Sequence, residues 1–106
     1  MIGKISSWNL YVIRCSNRSL YTGISTDVKR RFEEHNSNSA KSAKYLKGKG
    51  PLQLVYQKKL TTRSIATKCE IAFKKLSKKN KEFFLLNQSN IDKMFDKLIV
   101  ESKSVT

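Results

Sequence analysis

The chain has 106 residues, enough for one domain with a modest core and too few for two. Hydrophobic residues make up 39% and charged ones 28%, which sets a disordered chain aside. Twenty-two Lys and Arg against eight Asp and Glu give a formal net charge of +14, so the expected partners are polyanions, with nucleic acid ahead of a membrane surface.

A lysine-rich composition alone would produce the same charge without any role for it. No run of ~18 apolar residues and no charged-then-apolar leader is found, so neither a transmembrane helix nor a secretory signal is expected. The start Met1-Ile2-Gly3 matches no lipidation signal. Cys15 and Cys69 are too few for a disulfide framework and lack metal-ligand spacing; they read as buried thiols, and the expected location is the cytoplasm.

Trp8 to Cys15 and Leu20 to Ile24 are β-rich runs about the polar cluster Ser16-Asn17-Arg18-Ser19, which predicts a hairpin. For Tyr11 and Tyr21 to share a face, the connection must hold three or five residues or a bulge. Ser25 or Thr26 can cap a helix over about Asp27 to Asn36. On it Val28 and Phe32 face inward, His35 falls beside them and Arg31 flanks the same stripe.

Residues 37 to 50 combine small residues with four lysines and end in Gly50-Pro51, a basic loop with room for one helical turn over Ala43 to Leu46. Leu52 to Tyr56 alternates as a third strand that stops before Lys58-Lys59. Thr62 can cap a second helix to about Leu76, with Ile65, Ala66, Cys69, Ala72, Phe73 and Leu76 at helical spacing. Ser77 can cap a third, Lys78 to about Asn87, whose Phe83, Phe84, Leu85 and Leu86 would close the core. Asn90 to Ile99 repeats the helical spacing as a fourth helix, docked or used for pairing. The expected fold class is α+β: a small, three-stranded, mainly antiparallel sheet flanked by helices, with residues 1–88 as the domain and 89–106 as a C-terminal helix and tail.

From Asn36 through Lys81 thirteen Lys and Arg accompany a single acid, Glu70. It lies at the rim of the second helix's apolar stripe, where it reads either as a helix pair with Lys74 or as a carboxylate facing a cleft. Arg31 suits a phosphate through its planar, permanently charged fork, or simply snorkels. His35 either positions water or hydrogen-bonds a tyrosine hydroxyl. Tyr11 and Tyr21 taken singly are core aromatics of strands. Gly23 inside a strand marks a close approach, and it falls where Tyr21 needs room. Asp27, Glu33, Glu34 and Glu70 are the only acids before residue 82, too few on one face for two metal ions; one ion on one carboxylate fits better.

Asn9-Leu10-Tyr11, Tyr21-Thr22-Gly23, Arg31, His35 and Glu70 together resemble the GIY-YIG nuclease superfamily, and the chain from about Trp8 to Asn87 looks like its small stand-alone single-domain bacterial branch. Tyr21 to Phe32 is the strongest stretch, and Gly48-Lys49-Gly50-Pro51-Leu52 looks like that branch's lead into strand three. Asn9 replaces the glycine and Leu10 the isoleucine of the first tripeptide, and Ile24 stands where some members have lysine. A late asparagine of some relatives has two possible equivalents, Asn80 and Asn87. The resemblance implies a metal-dependent endonuclease in which Glu70 holds Mg²⁺ or Mn²⁺, Arg31 stabilises developing charge, and Tyr11 helps deprotonate water. Tyr21 and His35 would orient the water and the phenol.

The family's larger enzymes carry separate DNA-binding domains. Here Gly23, Arg30, Lys41, Lys44, Lys47 and Lys49 are expected to meet the nucleic acid, DNA before RNA, with structure-selective or unselective cleavage. Two alternatives stand beside this: a non-catalytic nucleic-acid-binding protein of the same fold, and an interaction module working through the C-terminal helix.

Overall fold

The computed structural model describes residues 7–37 and 40–104, with side chains through residue 101. Met1-Ile2-Gly3, the loop residues Asn38 and Ser39, and the end of the tail lie outside the described residues. The chain runs β1 (Trp8–Arg14), β2 (Leu20–Ser25), α1 (Val28–Asn36), a 3-10 turn (Lys44–Leu46), β3 (Gln53–Leu60), α2 (Arg63–Lys74), α3 (Lys78–Leu86) and α4 (Gln88–Ser104). The strands form an antiparallel sheet in the order β2-β1-β3. No described helix is long and apolar enough to cross a membrane.

β1 is central because its middle is apolar on both sides. Leu10 and Val12 face one layer while Tyr11 and Ile13 face the other, and none of the four is more than 2% exposed. Leu10 and Val12 pack with Tyr56, Leu60, Ala66, Cys69, Phe73, Leu85, Ile91 and Phe95 from β3 and α2 to α4. Tyr11 and Ile13 pack with Cys15, Val28, Leu46 and Leu52 beneath α1 and the basic loop. Both cysteines are free and buried, one in each layer.

The hairpin connection is the five residues Cys15 to Ser19, so Ile13 pairs with Tyr21 and Tyr11 with Gly23. That odd count places both tyrosines on the α1 face. Thr62 and Ser77 cap α2 and α3 by accepting from the Ile65 and Asn80 N–H groups. At α1 the cap is Asp27, which accepts from the Arg30 N–H. Ser25, expected in that role, instead accepts from the Asp27 N–H and sets up the turn.

Four expectations about β3, α3 and α4 are corrected. β3 does not stop before Lys58-Lys59, because Lys58 reaches Asp92 (3.8 Å) and Asp96 (3.5 Å) on α4 and is at home inside the strand. The alternation of Leu52, Leu54 and Tyr56 suggested one face, yet Ile13 pairs with Leu54 and Val12 with Tyr56. The extra residue, Val55, is a bulge that turns Leu52 and Leu54 to the α1 layer and Tyr56 and Leu60 to the other.

On α3 only Leu85 is buried and Phe84 half-buried, while Phe83 (52%) and Leu86 (85%) are exposed. Four consecutive residues span a full helical turn, so they cannot all face one core. α4 begins two residues earlier and continues past Ile99, and its buried Ile91 and Phe95 use its apolar stripe within the chain.

Candidate active site

The site lies on the α1 face, where three rings meet. Tyr11 and Tyr21 have ring centroids 6.3 Å apart, Tyr11 and His35 6.1 Å, and Tyr21 and His35 5.5 Å. Gly23, across from Tyr11 in the hairpin, leaves the space that the Tyr11 ring fills: a Cβ there would lie 2.5 Å from the Tyr11 hydroxyl oxygen and 2.6 Å from Cζ. The room expected for Tyr21 is therefore taken by Tyr11, because directly opposed residues approach more closely than diagonal ones.

His35, in the last turn of α1, is 2% exposed. Its Nδ1 accepts the Ala43 backbone N–H at 3.1 Å, and its Nε2 lies 3.1 Å from the Tyr11 hydroxyl oxygen. A nitrogen that accepts a hydrogen bond carries no proton, so in the neutral ring the proton sits on Nε2 and is donated to Tyr11. The Tyr11 hydroxyl proton is thereby left for a group in the cleft.

Burial, then the positive charge of Arg31, pushes the His35 pKa down to about 4, while Glu34 acts weakly the other way. Between pH 6.5 and 4 the unfolded chain therefore binds a proton that the native chain refuses. Stability should fall as pH drops through that window, by up to about 3 kcal/mol from this group. Urea denaturation against pH checks this, and His35→Gln should flatten the slope over that window.

Burial, then Tyr21, raises the Tyr11 phenol far above its usual value; Glu70 adds to the rise and Arg31 opposes it. Both charges are thus felt at the phenol. Arg31 Nη1 is anchored to Glu34 Oε1 (3.0 Å) and to the Lys41 carbonyl oxygen (2.6 Å). Glu70, on α2, keeps its side chain 19% exposed and pairs with Lys74 at 3.1 Å. Of the two readings the sequence offered for this carboxylate, the helix pair with Lys74 is formed. Among the described residues no three His, Cys, Asp or Glu side chains form a metal cage. A single hard carboxylate fits an ion that keeps most of its water, such as magnesium, and does not fit zinc.

The other sequence candidates divide. Lys41 supplies its carbonyl to Arg31, and Lys49 places its Nζ 3.4 Å above the Tyr45 ring. Lys44 and Lys47 are exposed on the loop, and Arg30 points outward beside Asp27 at 4.0 Å. The Asn87 amide donates to the Phe83 carbonyl and Asn80 lies exposed in the first turn of α3, so neither is drawn into the ring cluster. Sequence reasoning missed Tyr45, whose ring stacks on Tyr21 at 5.9 Å and 27°. An aromatic residue inside a lysine-rich loop was the available signal.

Residues 7–83 match the GIY-YIG catalytic domain. The chain is 45% identical over 87 residues to a UPF0213 protein of Listeria monocytogenes, covering 82% of this chain and 94% of that one. It is 46% identical over 78 residues to UPF0213 protein YhbQ of Escherichia coli, covering 74% and 76%. The solution structure of the Enterococcus faecalis protein EF2693 superposes with a TM-score of 0.54 at 36% identity, covering 83% of this chain and 92% of that one. On that match and those identities, this chain belongs to the GIY-YIG nuclease family, in its small UPF0213 branch.

Proposed function

We propose that this protein is a metal-dependent endonuclease that hydrolyses phosphodiester bonds in nucleic acid, DNA before RNA, without base readout. The observation that carries the reading is the buried cluster of Tyr11, Tyr21 and His35, in which the Tyr11 hydroxyl lies 3.1 Å from His35 Nε2 and all three rings are in contact.

Glu70 would hold the divalent ion, Mg²⁺ or Mn²⁺, with water and phosphate oxygens completing its shell. Bound there, the ion supplies Lewis-acid polarisation of the phosphate. Arg31 is anchored at one nitrogen and has five donors in all, so it can present others to the phosphate as negative charge develops. Tyr11 would take the proton of the attacking water only as the phenolate, after its own proton has passed to solvent, and the alkoxide released as the P–O bond breaks would take a proton from solvent. The His35 Nε2–H and the Arg31 charge both favour that phenolate, and meeting the Glu70 charge removes one of the effects that hold the phenol protonated. His35 is a donor that steadies Tyr11 and is not itself the base, since its other nitrogen is committed to Ala43.

The +14 charge also favours a second reading, a nucleic-acid-binding protein without turnover. Both are tested by incubating the protein with nicked, branched, duplex and single-stranded substrates in Mg²⁺, Mn²⁺ or EDTA at several salt concentrations. The nuclease reading expects products only with metal. Salt-sensitive binding with no product on any substrate would overturn it and leave the binding protein.

A further inference from the structure

Two cavities of the molecule differ in charge. One, of about 760 Å³, lies between α1 and β3, and its charged lining is Asp27, Glu33 and Lys29, two acids against one base. The other, of about 260 Å³, is an open groove beside β2 lined by Leu20, Tyr21, Thr22, Tyr45, Lys74 and Lys81, none of them an acid. Tyr21 belongs both to this groove and to the ring cluster, so the groove without acids is the one that adjoins the candidate active site.

The cations of that groove are not equivalent. Lys74 pairs with Glu70 at 3.1 Å, which commits most of its charge. Lys81, on α3, is half-buried against the groove, and among the described residues no acid pairs with its ammonium. Lys78, three residues earlier, is taken by Glu82. From the basic loop, the Lys49 ammonium adds positive charge 3.4 Å from the centre of the Tyr45 ring.

We propose that the sugar–phosphate backbone of the nucleic acid runs along this groove, between the basic loop and α3, with the Lys81 ammonium against a phosphate. This path rests on the nucleic-acid partner of the nuclease reading and adds where that partner lies. An open groove suits a chain that passes through it, and an ammonium with no acid partner can meet a phosphate and release its counterion without first giving up an ion pair. On the α1–β3 side Asp27 and Glu33 would repel the same chain. Lys81 is thereby a binding residue outside the basic loop, set apart from Lys78 by the acid that Lys78 holds.

Fluorescence anisotropy of labelled DNA oligonucleotides, single-stranded and duplex, tests this with the full chain in EDTA across a KCl series, so that binding is read without cleavage. Lys81→Gln should flatten the dependence of log affinity on log salt by about 0.9 with the duplex or about 0.7 with the single strand, the counterions released at one phosphate. At 0.1 M salt that is an affinity loss of about eightfold or about fivefold. Lys81→Arg keeps the charge and should keep the slope. Lys29→Gln removes the same unit of charge from the other cavity and should leave the slope unchanged. Because no acid is paired with Lys81, none is orphaned in Lys81→Gln, and its circular dichroism should match wild type.

A slope unchanged in Lys81→Gln, a fall of the same size in Lys29→Gln or in Lys81→Arg, or no salt-dependent binding by wild type overturns the path. The two readings fail separately. A slope that falls in Lys81→Gln alone, in a protein that never cleaves, removes the nuclease and keeps the path; metal-dependent cleavage with an unchanged slope removes the path and keeps the nuclease.

Discussion

Tyr11→Phe should leave a folded protein whose single-turnover cleavage is slower by about three orders of magnitude, the middle of the range for losing a positioned acid–base group. The substitution removes one oxygen and keeps the ring that fills the space above Gly23. Its main structural cost is the buried hydrogen bond with His35, about 1–2 kcal/mol because the Nε2–H is left without its partner. Stability and cleavage are thus predicted to respond very differently. Urea denaturation alongside single-turnover rates separates them: a rate that stays within a few-fold of wild type would show that the phenol oxygen takes no part in proton transfer.

Gly23→Ala should damage both properties. Alanine in a strand ordinarily gains ~0.5–1 kcal/mol over glycine through backbone entropy. Here the new methyl would lie 2.5 Å from the Tyr11 oxygen and 3.1 Å from Cε1, against a ring 2% exposed and closely surrounded. Overpacking of that kind costs about 1–3 kcal/mol, which outweighs the entropic gain. The ring must shift, and a displacement of about 1 Å at a reacting group costs on the order of a hundredfold in rate. Denaturation midpoints and cleavage rates of the purified variant check this; a neutral or stabilising alanine would mean that Tyr11 does not sit over residue 23.

The hairpin, the two serine and threonine caps and the buried middle of β1 were legible because each is a local pattern: turn residues, a hydroxyl three positions before an amide, four apolar residues in a row. The shared face of the two tyrosines was stated only as a requirement for an odd connection, and it is met because Cys15 joins the four-residue turn cluster instead of β1. Features that depend on distant segments were not legible. Lys58 looks like the end of a strand until Asp92 and Asp96 arrive from α4, and the Val55 bulge reverses an alternation that seemed regular. At the site, residue identities were readable but partnerships were not. The state of His35 is decided by the Ala43 amide eight residues on, and the place of Gly23 by a ring across the hairpin. Tyr45 joins the cluster only because the basic loop folds back over β2.

The proposed nuclease needs Glu70 in the same catalytic unit as Tyr11, although in the described structure Glu70 pairs with Lys74. Glu70→Gln keeps the shape and removes the charge a divalent ion needs, without disturbing the rings or the His35 hydrogen bonds. The most direct measurement is therefore single-turnover cleavage of a labelled oligonucleotide by wild type and Glu70→Gln across a Mg²⁺ titration. Wild type should give metal-dependent product, with a loss of at least about a hundredfold in the variant that excess Mg²⁺ restores poorly. Cleavage by Glu70→Gln at the wild-type rate and with the same Mg²⁺ dependence would show that this carboxylate holds no catalytic ion.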